Sequence, residues 1–246
     1  MKLSVVIIFC DKDFKYLDSM IKMVEKFVTA EHEIILVDNR NNQEPFETNY
    51  KVVSKGSNCY IFEGRRLGLD AATGDYIWFV DVDDEIIGEV SEEDLKNRTE
   101  KILQLNYKIN NNGFIKLGQI KNNIACFGPS VWSRIYKAEE LREALKPLKR
   151  DIKLVNGEDR VIFDFMMNRC KSREDIYIFD DKYRYNYNLS VSAATQFKNK
   201  ESLERGLIGE EELDYIYSFL PENFKEGKRR ILAINNQNRK YLSKLS

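Results

Sequence analysis

The chain has 246 residues, a formal net charge of −1, 43% hydrophobic residues and 32% charged residues. This length suits one large domain or two closely joined halves, and the near-zero charge excludes a protein-wide field that would attract nucleic acid or a membrane. The four cysteines show no paired spacing. With a single histidine, they argue against a disulfide framework and against a zinc site of the Cys/His type.

No apolar run in the sequence reaches the roughly 18 residues that a transmembrane helix requires. The first apolar run, residues 3–10, is short, and charged residues follow it without a small-residue cleavage site. Such a run is typical of a first core strand rather than a signal peptide. Together with the unpaired cysteines, this leads us to expect a cytoplasmic protein.

Two buried strands separated by a helix open the chain. Residues 3–9 and 33–37 are predominantly apolar runs, and apolar residues recur at helical spacing between them. Strand, helix and strand in this order predict a right-handed parallel unit of an α/β fold. Weaker strands are predicted at 52–53 and 59–62.

The central stretch, residues 64–84, is the most informative part of the sequence. A short helix and a turn precede the apolar run 76–80, which predicts a strand buried on both faces. Asp81, Asp83 and Asp84 follow at its carboxyl end, where open α/β sheets bind ligands. Carboxylates so close repel one another, and a hard divalent cation relieves that repulsion. The stretch therefore predicts a Mn²⁺ or Mg²⁺ site with Asp83 and Asp81 as ligands.

The Asp-Val-Asp-Asp sequence has other interpretations. A calcium-binding EF-hand loop requires Gly at its sixth position, where this chain has Ile86. A haloacid-dehalogenase-type phosphatase has Thr or Val where this chain has Glu85. A solvated acidic turn is the remaining alternative, because a lone Asp-x-Asp motif is a weak signal.

The full stretch resembles glycosyltransferase family 2, inverting enzymes with a GT-A fold. The family pattern runs Ala-Arg-Asn-x-Gly-(Leu/Ile)-x-x-Ala-x-Gly-x-Tyr-(Ile)-x-Phe-x-Asp-x-Asp-Asp. The chain departs from it at Gly64 and Arg66, where the family usually has Ala and Asn. The positions that match are Arg65, Gly68, Leu69, Ala72, Gly74, Tyr76, Ile77, Phe79, Asp81, Asp83 and Asp84.

The resemblance implies a nucleotide-sugar site at the carboxyl ends of the first strands. The second strand of the family usually ends Val-Asp-Asp-Gly-Ser, and its first Asp, which contacts the nucleotide base, corresponds to Asp38. Phe9 and Asp11 end the first strand on the same side of the expected site. Arg65 corresponds to an arginine near the phosphates, and Asp81 to a residue that meets the ribose or the metal.

The second half of the chain begins with a capping box at Ser91, which predicts a helix that carries Leu95 and the apolar residues 102–105. The sequence 110–113, Asn-Asn-Asn-Gly, breaks that helix and predicts a boundary between donor and acceptor halves. The segment 127–137 resembles a Trp-x-(Lys/Arg)-(Ile/Leu)-Tyr block of bacterial members of the family. Its Trp132 and Arg134 are candidate acceptor contacts, although a Trp in such a position also suits the core.

Gly157-Glu158-Asp159 opens a predicted helix and resembles the Glu-Asp motif that holds the catalytic base of the family. We assign the base to Asp159, with Glu158 as the second candidate. Acidic residues also stabilise any helix N-terminus, so simple capping is the alternative.

A strand at 176–179 and a tyrosine-rich segment at 183–192 complete the resemblance, and helices are predicted at 201–220 and 223–245. The last 25 residues are rich in Lys and Arg. This basic tail is expected either to rest on the acidic inner face of a membrane or to be a solvated helix face.

We therefore predict an α/β protein with a mostly parallel, Rossmann-like GT-A sheet flanked by helices, and a C-terminal helical extension. The expected units are a donor half at 1–110, an acceptor half with the base at 111–197, and a basic helical tail at 198–246.

The resemblance implies a metal-dependent, inverting glycosyltransferase in bacterial surface glycan synthesis. Its expected partners are a UDP-sugar donor and a glycan or lipid-linked glycan acceptor. Three alternatives stay open: a phage-type transferase acting on a hydroxymethylated DNA base, an inactive binding relative, and a nucleotidyltransferase. The last would need a Gly-rich loop after the first strand, where the chain has Cys10-Asp11-Lys12-Asp13.

Overall fold

The structure is a computed structural model that describes residues 1–42, 44–111, 114–118, 130–154, 157–188, 204, 207 and 210–243. The strands are β1 (Leu3–Phe9), β2 (His32–Asp38), β3 (Lys51–Val53), β4 (Tyr76–Asp81), β5 (Glu85–Ile86), β6 (Ile102–Asn111), β7 (Phe114–Gly118), β8 (Arg134–Lys137) and β9 (Ile176–Asn188). The helices are α1 (Leu17–Phe27), α2 (Ile61–Ala71), α3 (Glu92–Leu95), α4 (Ala138–Leu145), α5 (Glu158–Arg169), α6 (Glu210–Tyr217) and α7 (Lys225–Leu242).

The described strands form one sheet in the order β3-β2-β1-β4-β8-β6-β9-β5, and β7 pairs with the second half of β6 outside this order. The first four strands in that order are parallel, and β6 is parallel to β9. Strand β8 runs antiparallel to both β4 and β6. The predicted α/β fold with a mainly parallel sheet is therefore confirmed.

Helices cover both faces of the sheet, which explains why β1 reads as a continuous apolar run. Alternate residues of β1 belong to two different hydrophobic core clusters, with Val6 and Ile8 on one face of the sheet and Val5 and Ile7 on the other. Helices α2, α4, α5, α6 and α7 pack on the first cluster, and α1 packs on the second. None of the helices in the described part of the chain has the length and apolar character needed to cross a membrane.

Two local predictions from the sequence are wrong. The capping box at Ser91 forms, but the helix ends within one turn, before Asn97 with φ +59°. The apolar residues 102–105 lie instead in β6, where they pair with β8 and β9. Residues 59–62 are not a strand, because α2 begins at Ile61 and buries Phe62 in the core.

The predicted boundary near residue 110 falls at the end of β6, and residues 112 and 113 lie outside the described residues. Residues 127–129 and 189–192, and most of 201–209, also lie outside them. Strands from both sides of residue 110 share the sheet. The division into three units stays a prediction.

Glu33, at the start of β2, links β1 to the turn before β4. It lies at the end of the sheet opposite the carboxyl ends of β1 and β4. Its Oε1 accepts hydrogen bonds from Ser4 Oγ at 2.6 Å, from Thr73 N at 2.6 Å and from Thr73 Oγ1 at 2.8 Å, and its Oε2 lies 3.3 Å from Lys2 Nζ. Burial raises the pKa of Glu33, but these bonds outweigh it and lower the pKa from 4.5 to about 2.

We expect Glu33→Gln to lower the free energy of unfolding at pH 7 by about 2 kcal/mol. Because the pKa is lower in the folded protein, the stabilisation is present above pH 4.5 and is lost as the pH falls towards 2. Urea titrations at pH 7 and pH 3 measure both effects. The exposed Glu31→Gln is the control, and equal losses in both variants at pH 7 would contradict the assignment.

Candidate active site

The candidate site is centred on Arg65, a residue of α2 whose side chain is only 2% exposed. Its Nη2 lies 3.0 Å from Asp81 Oδ1, 3.6 Å from Glu158 Oε1 and 3.7 Å from Asp159 Oδ1. The structure thus brings together residues of two separate sequence motifs, which lie on three elements: α2, the end of β4 and the start of α5.

Two glycines of α2 allow the Arg65 side chain to be buried. A Cβ on Gly64 would lie 2.2 Å from Ile8 Cδ1, and a Cβ on Gly68 would lie 2.3 Å from Val6 Cγ1. The helix therefore packs directly on β1, and the guanidinium between these glycines is drawn into the interior. Its carbon lies 5.7 Å from the centre of the Phe79 ring.

The guanidinium is not fully satisfied by the protein. Its Nη2 donates to Asp81, whereas Nε and Nη1 are buried and have no hydrogen-bond partner. Buried donors of a charged group are costly when unpaired, and each such group in a folded protein requires an explanation. An anion with several oxygens, bound beside Arg65, would accept from both nitrogens.

The two acidic residues at the start of α5 differ in accessibility. The Glu158 side chain is 11% exposed, and that of Asp159 is 26% exposed. Burial and the neighbouring Asp159 raise the pKa of Glu158. Burial also raises the pKa of Asp159, Arg65 opposes this effect and Asp81 adds to it, and the pKa reaches about 6. Asp159 is thus the more accessible carboxylate and is mostly ionised at neutral pH.

The acidic residues after β4 point in different directions. Asp81 faces Arg65, whereas Asp84 is buried and accepts hydrogen bonds from Tyr185 Oη and Asn188 N, both at 2.8 Å. Burial, and then Asp81, raise the pKa of Asp84. Asp84 therefore belongs to the fold, and no pattern in the sequence pointed to its partner Tyr185.

The metal prediction rests on Asp81 and Asp83 alone. No group of three or more His, Cys, Asp or Glu side chains arranged to hold a cation occurs among the residues that the structure describes. Two carboxylates at a strand end fit Mg²⁺ or Mn²⁺ only as part of a shared site, since these ions take their other ligands from substrate phosphates and water. The unpaired Arg65 donors indicate that such phosphates would lie beside them.

The expected base-binding residues lie at the same edge of the sheet. Phe9 pairs with Asp38 in the sheet, and Ile8 pairs with Asp81, so the ends of β1, β2 and β4 are adjacent. Asp11 follows β1, and its Oδ2 accepts hydrogen bonds from N and Nδ2 of Asn41 at 3.1 and 3.0 Å. The Phe9 side chain is 1% exposed and lies in the core.

Asp38 has a partner that the sequence did not reveal. Its carboxylate accepts from Arg40 N at 3.1 Å, from Nε at 2.9 Å and from Nη2 at 2.8 Å. The Arg40 guanidinium carbon lies 4.4 Å from the Phe14 ring centre, 5.3 Å from that of Phe46 and 5.8 Å from that of Phe9. Arg40 stands where the family pattern has Gly, and that departure was the signal available in the sequence.

The acceptor candidates are both buried. Trp132 is 4% exposed and lies parallel to the rings of Tyr185 and Tyr187, with centres 5.0 and 4.7 Å away. This is the geometry of a core residue. Arg134 is 1% exposed and lies beneath α5, 4.5 Å from the ring centre of Phe163. A contact of either residue with an acceptor stays a prediction.

Comparisons with known proteins agree with the fold. A model of glycosyl transferase family 2 matches residues 4–110. The crystal structure of S. aureus TarS superposes with a TM-score of 0.62 at 19% identity, covering 89% of this chain and 43% of the TarS chain. This chain thus spans less than half the length of that relative. No curated protein sequence matches the chain.

Two further crystal structures, of S. aureus TarS 1-349, were solved with ligands. The complex with UDP-GlcNAc gives a TM-score of 0.59 at 18% identity, covering 92% of this chain and 73% of that chain. The complex with UDP gives 0.58 at 20% identity, covering 92% and 72%. At these identities the likeness shows a shared fold.

The family match and the fold lead to the same assignment. The matched residues 4–110 contain Asp38, Arg65, Asp81 and Asp83. The TarS structures share the α/β fold of this chain. Over residues 4–110 the chain therefore resembles glycosyl transferase family 2.

Proposed function

We propose that this glycosyltransferase moves a sugar from a nucleotide diphosphate sugar, a UDP-sugar, to an acceptor hydroxyl with inversion at the anomeric carbon. The observation that carries the proposal is the buried guanidinium of Arg65, with two unpaired donors beside the carboxylates of Asp81 and Asp159. The complexes of the TarS structures with UDP-GlcNAc and UDP support a nucleotide donor.

Arg65 would bind the diphosphate. A planar guanidinium donates two parallel hydrogen bonds to phosphate oxygens, and it is always charged. In a buried site this charge would stabilise the negative charge that develops on the leaving nucleoside diphosphate. Asp81 and Asp83 would hold Mn²⁺ or Mg²⁺, which supplies further positive charge at the diphosphate when bound.

Asp159 would act as the general base. Its carboxylate lies at the N-terminal turn of α5, where the helix favours the ionised form, and it is more accessible than Glu158. It would take the proton from the acceptor hydroxyl as that oxygen attacks the anomeric carbon from the face opposite the diphosphate. A single displacement of this kind inverts the anomeric configuration.

The acceptor we propose is a glycan or a lipid-linked glycan at the inner face of a bacterial membrane. The feature that favours it is the exposed basic surface of α7, formed by Arg229, Arg230, Arg239 and Lys240. Basic residues on a helix surface attract acidic lipid headgroups. DNA that carries a hydroxymethylated base is the second candidate acceptor, because its backbone phosphates would also bind these residues. Gel-shift titration with duplex DNA at low salt distinguishes the two candidates.

The first prediction concerns donor and metal together. Thermal unfolding in the presence of nucleotide diphosphate sugars should show the largest stabilisation with a UDP-sugar and Mn²⁺. Chelation should abolish sugar transfer, and added Mn²⁺ or Mg²⁺ should restore it. Asp83→Ala should behave like the chelated enzyme, whereas Glu85→Gln, an exposed carboxylate nearby, should not. Full transfer after exhaustive chelation would exclude the metal.

The second prediction concerns the base. Asp159→Asn keeps the shape of the side chain and removes its basicity, so kcat should fall by roughly 10²–10⁴ while the Kd for UDP stays unchanged. Glu158→Gln should cost clearly less. Because the base must be ionised, kcat/KM of the unmodified enzyme should decline as the pH falls through about 6. Near-normal kcat in Asp159→Asn would reassign the base.

The third prediction concerns the nucleotide base. Arg40→Ala removes the guanidinium that binds the Asp38 carboxylate. The released carboxylate would accept a hydrogen bond from the N3–H of uracil, whereas N3 of cytosine carries no hydrogen to donate. Calorimetric titrations should therefore show a greater preference for UDP over CDP in Arg40→Ala than in the unmodified protein. Asp38→Asn is the matched control. An unchanged ratio of the two Kd values would mean that Asp38 does not contact the base.

A further inference from the structure

The C-terminal helix α7 uses one face for packing against the rest of the protein. Gly227 and Ile231 on this face are buried, whereas Arg230 and Ile234 are exposed. This face lies against α5, the helix that carries the candidate base. The region that matches the family ends at residue 110, so neither α6 nor α7 belongs to it.

Ile231 packs on the residue that starts α5. Gly157 is the N-cap residue of this helix, with φ +85°, and it provides no side-chain cap. A Cβ on Gly157 would lie 2.9 Å from Ile231 Cγ1. Ile231 itself is 2% exposed. The first turn of α5, with Glu158 and Asp159, is therefore supported by a side chain of α7.

A second attachment lies further along α5, at Asp164, which is 1% exposed. Its Oδ2 accepts hydrogen bonds from Arg160 Nε and from Tyr217 Oη of α6, both at 2.9 Å. A Cβ on Gly227 of α7 would lie 1.9 Å from the same oxygen. Helices α6 and α7 thus both contact α5 at a buried, charged hydrogen-bond acceptor.

The start of a helix needs external support when its N-cap residue lacks a side chain. The first four N–H groups of a helix have no partner within it, and a capping side chain usually satisfies one of them. In α5 that cap is absent, although this turn must hold Asp159 in one position relative to Arg65. A displacement of about 1 Å of a reacting group is enough to reduce a rate by about 10².

We propose that α6 and α7 hold the base in its catalytic position, and that Ile231, Gly227 and Tyr217 are positioning residues for Asp159. This rests on the proposed function in so far as Asp159 is the base. The C-terminal helices then serve the chemical step through α5.

The test compares two identical substitutions in α7, Ile231→Ala at the buried contact and Ile234→Ala on the exposed face three residues later. Hydrogen exchange of the amides of residues 157–161 should become faster in Ile231→Ala and stay unchanged in Ile234→Ala. In the full chain, kcat of Ile231→Ala should fall about tenfold to a hundredfold, with the Kd for UDP within twofold of normal. Ile231→Val should recover most of the activity.

The pH profile separates positioning from simple stabilisation. The charged groups facing Asp159 are Arg65 of α2, Asp81 of β4, Arg134 of β8 and Glu158 of α5. If the first turn loosens and admits water, the acid limb of kcat/KM should move to lower pH in Ile231→Ala. Tyr217→Phe, which removes one hydroxyl, should shift the limb in the same direction.

Unchanged amide exchange at residues 157–161 in both Ile231→Ala and Tyr217→Phe would overturn the proposal, whatever the activity. A loss of kcat that only follows the folded fraction, with the acid limb in place, would also overturn it, because the helices would then merely stabilise the fold. Failure of the unmodified protein to transfer from any nucleotide sugar would instead refute the proposed function, and the exchange data would still decide whether α7 holds the turn.

Discussion

The arrangement of the site depends on one buried cation surrounded by carboxylates. Arg65 is enclosed because two glycines bring α2 onto β1, and its charge is balanced by Asp81, Glu158 and Asp159. Burial lowers the pKa of Arg65, but the three carboxylates more than compensate, so the guanidinium stays charged. Removing any one carboxylate would change the charge that the other two experience. The first turn of α5 is therefore coupled electrostatically to α2 and to the end of β4.

The sheet explains how distant parts of the sequence reach this cation. Strands β1, β2 and β4 are parallel, so their carboxyl ends deliver Asp38 and Asp81 to one edge. Strand β8 pairs antiparallel with β4 and leads directly into α4, which packs beside α5. The candidate base Asp159 thus approaches this edge from the helical layer, while the expected nucleotide contacts approach it from the strands.

The sequence predicted those parts of the fold and site that depend on local patterns. Apolar runs predicted the buried strands, and the motif around Arg65 and Asp81 predicted α2, β4 and the acidic residues at the end of β4. The long-range pairings were not accessible. Residues 102–105 follow a genuine capping box, yet they join the sheet because β8 and β9 offer backbone partners. Arg40 was overlooked because its contacts with Asp38 and three phenylalanines form only when β1 and β2 are paired.

Burial also changes the meaning of some residues that the sequence singled out. An aromatic residue such as Trp132 fits a sugar platform or the core equally well in sequence, and its parallel packing on two tyrosines is visible only in three dimensions. The same holds for Asp84, which belongs to the acidic motif by position but faces inwards to Tyr185. Neighbouring carboxylates of one motif thus have different roles. The direction of each side chain decides whether it stabilises the fold or lies in the candidate site.

Gly157 is subject to two independent constraints, and together they limit which second mutations could suppress a change there. An alanine at this position would collide with Ile231, and shortening Ile231 would remove the collision. The left-handed backbone at φ +85° would still cost roughly 1–2 kcal/mol for any residue with a Cβ. A suppressor screen of Gly157→Ala should therefore find no full revertant in α7 alone, since only a change in the path of the chain into α5 would relieve both.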